Sequence, residues 1–192
     1  MGEMKSAYER ALERAGRLGR LSPEEMRERK MAEYAAIGRA LAERYLEHGY
    51  TRVLNEELGK YEGSDRDVLA DAALSRLAEA LSLDVPETTE RALQGISTLK
   101  PNASIVETER RMRSLQADYA DAQEQAYEQA REGLKRRGAE ALDELGITGS
   151  AIGDTRIGVR ELRRDASQEL RSRFEPRLGE VRQELLERAR ES

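Results

Sequence analysis

From Ile105 to Leu145 the apolar residues recur in steps of mostly three, four and seven: Ile105, Met112, Leu115, Tyr119, Ala122, Ala126, Ala130, Leu134, Ala141 and Leu145. That spacing draws one narrow stripe along a helix, as in a coiled-coil seam. A second stripe runs through Val159, Leu162, Ala166, Leu170, Phe174, Leu178, Val181, Leu185 and Ala189. At ~1.5 Å per residue the two helices reach roughly 60 and 50 Å. Between them lies Gly-Ile-Thr-Gly-Ser-Ala-Ile-Gly-Asp, residues 146–154, a segment suited to a turn. Long helices joined by a short loop pack antiparallel. The chain is therefore predicted to be all-α. A bundle of short-to-medium helices over 1–101 precedes a long antiparallel, coiled-coil-like helical hairpin over 102–192, with helices at 105–145 and 155–190 and a turn at 146–154.

Composition agrees with seams rather than a thick core. Charged residues make up 37% of the chain and aromatics 4%, with no Trp and one Phe. Ala and Leu can line the contact between helices, and the interspersed signs of charge suit solvated outer faces. Glu–Arg pairs four apart recur at Glu107–Arg111, Glu109–Arg113, Glu132–Arg136, Glu169–Arg173 and Glu184–Arg188. Each supports a helix by ~0.2–0.5 kcal/mol. Gly133 and Gly138 interrupt the first long helix and are expected to mark a bend or the close approach of another helix. Pro176 is expected to kink or split the last one.

The N-terminal region is read from caps and breaks. A first helix is predicted over 4–18. Ser22, Pro23 and Glu25 then spell a capping box with Pro at the first helical position, and Leu21 and Met26 are spaced for a hydrophobic staple. That helix continues to about His48, where Gly49 ends it, with Tyr34, Ile37, Leu41 and Tyr45 on one face. Shorter helices follow behind Thr51, from Ser64 with Asp67, and near Asp84 and Pro86. Pro101 breaks the chain, and Ser104 with Glu107 forms a further capping-box pattern. Tyr8, Tyr34, Tyr45, Tyr50 and Tyr61 are expected to supply the bulky core of this region.

Few chemistries remain open. With no cysteine, disulfides, thiolate nucleophiles and zinc–thiolate or iron–sulfur sites are excluded. No secretory signal or membrane-spanning run is apparent, which points to a cytoplasmic protein without membrane contact. Net charge is −5. The one histidine, His48, has Glu43 and Glu47 nearby but lacks the Glu-x-x-His spacing of helical di-iron sites. The glycines from Gly146 to Gly158 lack the Gly-Lys-Ser/Thr ending of a phosphate loop. Within that turn, Gly149, Ser150 and Gly153 are possible contacts for a ligand or partner. Arg156, Arg160, Arg163 and Arg164 share a helix face and form the one basic group suited to a phosphate backbone or an acidic partner.

The stretch Arg160-Glu161-Leu162-Arg163-Arg164-Asp165-Ala166 resembles a segment of bacterial ribosome recycling factors. There it lies on a long helix of a three-helix bundle, with arginines facing ribosomal RNA. The resemblance spans seven residues, and neither that family's N-terminal Gly-Arg-Ala segment nor its β-rich second domain has a counterpart here. The opening, Met4-Lys5-Ser6-Ala7 through Leu18-Gly19-Arg20-Leu21-Ser22-Pro23-Glu24-Glu25, is similar to the start of small uncharacterised helical bacterial proteins over about fifty residues. It implies a bacterial source and no particular activity. The expected function is therefore non-enzymatic protein–protein interaction or self-assembly, with another protein or a second copy (a homo-oligomer) as partner and with no cofactor or metal. The alternative is a ribosome- or RNA-associated factor that uses the arginine face. A metal or small-molecule site near His48 and Glu43 is a third reading.

Overall fold

The computed structural model of the chain describes residues 22–101, 104–146 and 159–191. Among these residues it is all-helical: α1 (Pro23–His48), α2 (Thr51–Leu58), α3 (Gly63–Glu79), α4 (Pro86–Leu99), α5 (Val106–Glu144) and α6 (Val159–Arg190). The helix expected over 4–18, Leu21 of the staple and most of the 146–154 turn lie outside the described residues.

Local rules set several ends. The Ser22 hydroxyl accepts from the Glu25 N–H at 3.1 Å, and the Glu25 carboxylate accepts from the Ser22 N–H at 2.6 Å. This is the reciprocal box the sequence spells. Gly49 closes α1 in the left-handed region, at φ 74°, where a Cβ would be strained. The other expected caps do not form. Tyr50, Glu62, Val85 and Ile105 occupy the N-cap positions of α2 to α5, and none makes a side-chain cap bond. Ser104 loses its place because Ile105, only 3% exposed, is anchored in the core and the helix begins after it.

α1 and α3 form the most extensive helix pair, and they run parallel: Lys30 bonds Asp65, Gly38 meets Leu69 and Ala72, and Glu43 meets Arg76. α2 carries the chain back between them. The crossing is close at Gly38, where an added Cβ would lie 2.2 Å from the Leu69 carbonyl oxygen. Gly95 does the same for α4, whose backbone rests on the Tyr45 ring and Leu77. Tyr45 itself is fully buried and donates to the Arg91 carbonyl at 3.0 Å. Burial pushes its phenol above the ordinary tyrosine value. The tyrosine expectation is corrected elsewhere: Tyr50 is 68% exposed, while Tyr34 and Tyr61 meet edge-to-face, half-buried. Tyr8 lies outside the described residues. Of the four described tyrosines of this region, only Tyr45 is fully buried, with the α4 backbone at Gly95 resting on its ring.

α5 and α6 run antiparallel. Thr108 and Arg111 meet Glu184, Asp118 meets Arg177, Tyr119 meets Phe174 edge-to-face at 5.3 Å, and Gln123 meets Ser167. α6 also docks on α3, so that Phe174, Leu178, Val181, Leu185 and Ala189 join one continuous core with Leu69, Leu77 and Leu93. Burying each leucine of that core contributes ~1.5–3 kcal/mol. Polar grips supplement it. Arg182 donates to the Leu81 carbonyl at 2.6 Å and to the Glu79 carbonyl at 3.3 Å, supplying a cation where α3 runs out of hydrogen-bond donors. Gln116 donates to the Ser82 carbonyl, and Arg190 forks onto both Asp71 oxygens at 2.6 and 3.0 Å. Of the two outcomes expected at Pro176, the split does not occur: α6 runs through it as one helix. Phe174 before it and Leu178 after it are both buried, which holds the helix across the missing hydrogen bond.

Candidate interaction site

The α5 stripe has two fates. Met112, Leu115 and Tyr119 are buried, whereas none of the stripe residues from Ala122 onward is. Ala122, Ala126 and Ala130 are half-buried, Leu134 is 41% exposed, Ala141 is exposed and Leu145 is 73% exposed. Up to Tyr119 the helix is flanked by α6 and, through Arg113 and Gln116, by Glu90 of α4 and the Ser82 carbonyl. Farther along, Gln123 donates to Ser167 of α6 at 3.3 Å. Gly133 and Gly138 mark no close approach: a Cβ at either would meet no described atom within 4 Å.

The same division separates the basic side chains. Arg171, Arg177, Arg182, Arg188 and Arg190 of α6 are bound to Asp84, Asp118, Glu175, Glu184 and Asp71 respectively, so they belong to the fold. Asp84 also accepts from Tyr119, and that bond adds to burial in raising the Tyr119 phenol. Arg164 is exposed and has no partner among the described residues, as do Lys135, Arg136 and Arg137 of α5. Arg160 and Arg163 fall on the first turns of α6 by backbone position. Arg156, Gly149, Ser150 and Gly153 lie outside the described residues. The Lys135–Arg137 cluster was not read from the sequence, because three consecutive cations point in three directions around a helix and make no stripe.

His48 is not joined to a ligand set. Its ring stacks on Tyr50 at 6.4 Å and its Nε2 lies 3.9 Å from Glu47. Glu43 accepts from Arg76 at 3.1 Å, on the face toward α3. A cavity of about 200 Å³ opens between α6 and the α3–α4 connection, lined by Ser82, Arg171, Glu175 and Arg182. Arg182 pairs with Glu175 within it, and Arg171 pairs with Asp84 outside its lining. No helix among the described residues is long and apolar enough to cross a membrane. Compared with protein-family models, curated proteins and solved structures, the chain has no match.

Proposed function

We propose that this protein is a non-enzymatic helical interaction protein. In this reading α1 to α4 form a bundle, and α5 with α6 forms a long, coiled-coil-like hairpin whose far half is the contact element, either for another protein or for a second copy. The carrying observation is the stripe from Ala122 to Leu145, none of it buried, where Met112, Leu115 and Tyr119 earlier on the same helix all are. Exposed apolar positions sustained at helical spacing are what partner helices bind. The test is association of the purified full chain, alone and as bait in native extract, against an Ala126→Glu, Ala130→Glu variant. Loss of association in the variant with retained helicity supports the reading. Undiminished association, or a wild-type chain that binds neither itself nor any protein, overturns it.

The second reading is an RNA- or ribosome-associated factor. It is favoured by one observation: Arg164 and the Lys135–Arg137 cluster are free of described ion pairs, unlike the arginines nearer the bundle. It predicts binding that falls steeply with salt and is lost on replacing Arg160, Arg163 and Arg164 by Glu. RNA binding unchanged in that variant would remove it.

A further inference from the structure

Four charged side chains lie along one face of α5 in the order Glu124, Glu128, Arg131, Lys135. At ~100° per residue they fall within a sector of roughly 60°. Glu124, Glu128 and Lys135 are exposed, and Arg131 is half-exposed. Within the chain Glu128 and Arg131 meet at 3.4 Å with 47% and 41% of their side chains in solvent, while Glu124 and Lys135 have no partner among the described residues. The order of signs is its own mirror image with charge reversed. A second α5 laid antiparallel on this face sets Glu124 against Lys135 and Glu128 against Arg131, twice each. Both pairings require the same dyad, between residues 129 and 130.

The same dyad sets Ala117, exposed, opposite Leu142, half-buried, so each end of the overlap closes on an apolar contact. It also sets Asp121 opposite Gly138, where a Cβ would meet no described atom within 4 Å. No like charges oppose one another along the face. A parallel arrangement would set acid on acid and base on base throughout. We infer that the Ala117–Leu142 face of α5 is a self-complementary docking face for a second copy of this chain, two-fold symmetric and antiparallel. The inference rests on the hairpin reading above for the far half of α5 as the contact element, and assigns a second copy and a register to its charged face, which lies on the side of the helix opposite the Ala122–Ala130 seam. Isologous contact between identical faces is the commonest route to a dimer. Because its specificity is carried by solvent-exposed pairs, the dimer is salt-sensitive.

The test uses the full chain and three variants, followed by sedimentation across concentration at low and high salt, with circular dichroism to confirm helicity. Glu124→Lys with Glu128→Lys makes the face wholly basic; Arg131→Glu with Lys135→Glu makes it wholly acidic. Each is expected to be monomeric where the wild type dimerises, and an equimolar mixture of the two is expected to form a heterodimer. The charge-swapped Glu124→Lys, Lys135→Glu chain keeps every pairing opposite in sign and is expected to dimerise like the wild type, with a dissociation constant within about threefold, since exposed pairs differ little in strength. It keeps the inference falsifiable should either block variant fail to fold. A wild type that stays monomeric at hundreds of micromolar overturns the inference. So does dimerisation undiminished in both block variants, which would leave the hairpin reading standing with another face as its contact. Monomeric variants that do not pair when mixed also refute the register.

Discussion

Replacing Gly38 by Ala tests the tightest site among the described glycines. The new Cβ would sit 2.2 Å from the Leu69 carbonyl oxygen, 3.0 Å from the Ala72 Cβ and 3.1 Å from the Leu69 carbonyl carbon, where ordinary contact begins near 3.4 Å. The obstacle is backbone, so no rotamer change relieves it, and α1 and α3 must part by about 1 Å. That loosens Leu41, Ala42 and Tyr45 against Leu69, Ala73 and Leu77, all fully or nearly buried. Overpacking of this kind costs ~1–3 kcal/mol, here toward the upper end. Alanine's better helix propensity returns about 1 kcal/mol. The expected net loss is therefore ~1–2 kcal/mol. Gly133→Ala has the opposite sign: with no described atom within 4 Å, only the propensity remains and the helix gains about 0.5–1 kcal/mol. Urea unfolding followed by circular dichroism, with hydrogen exchange to locate the Gly133→Ala gain, separates the two. A Gly38→Ala chain as stable as the wild type would refute the parallel, backbone-on-backbone crossing of α1 and α3.

Arg182→Met keeps the aliphatic length but leaves the Glu79 and Leu81 carbonyls without their donor, and is expected to destabilise by ~1–3 kcal/mol in the same assay. Ser22→Ala removes the box at the start of α1, where residues 22–33 are all exposed. Its ~1 kcal/mol effect is expected as faster amide exchange in the first turn of α1, with global unfolding unmoved. Lys30 donates to Asp65 and holds its carboxyl below the ordinary carboxylate value, while Asp65 raises the Lys30 ammonium. The pair's contribution is thus present above the ordinary carboxylate value and lost as pH falls through the lowered Asp65 value. It is lost again at high pH, as the pH rises through the raised Lys30 value. An NMR titration of Asp65 in the wild type and in Lys30→Met checks the acid side, and an unchanged Asp65 midpoint would refute the contact.

What could be read from the sequence was what depends on neighbours a turn away. The Ser22 box, the Gly49 stop and the α6 stripe from Phe174 to Ala189 all appear where spacing put them. The pattern Ser104–Glu107 is as good a box on paper, yet it fails, because anchoring Ile105 in the core outweighs a bond worth ~1 kcal/mol. A stripe shows which residues share a face but not what covers it. Hence Met112 and Ala130 look alike in sequence and differ in burial. Among the Glu–Arg pairs four apart, Glu109–Arg113 and Glu184–Arg188 form, while Arg111 turns from Glu107 to Glu184 on the neighbouring helix. The parallel pairing of α1 with α3 was hidden, since short connections favour antiparallel neighbours and α2 has to be recognised as the return leg. The docking face of α5 was present as four charges and became a face only once α6 was seen to occupy the opposite side, at Met112, Leu115 and Tyr119.

The contacts that hold α6 to α3 join residues as much as 119 apart in the chain, as in Arg190 with Asp71. During synthesis at ~5–20 residues per second, α3 leaves the ribosome roughly 6–25 s before its last partner. Through that interval the surface later covered by Leu178, Leu185 and Ala189 is bare, and the Leu81 carbonyl lacks its guanidinium. The nascent chain therefore has a defined period of vulnerability, in which a chaperone or another nascent copy competes for the groove that its own last helix will fill.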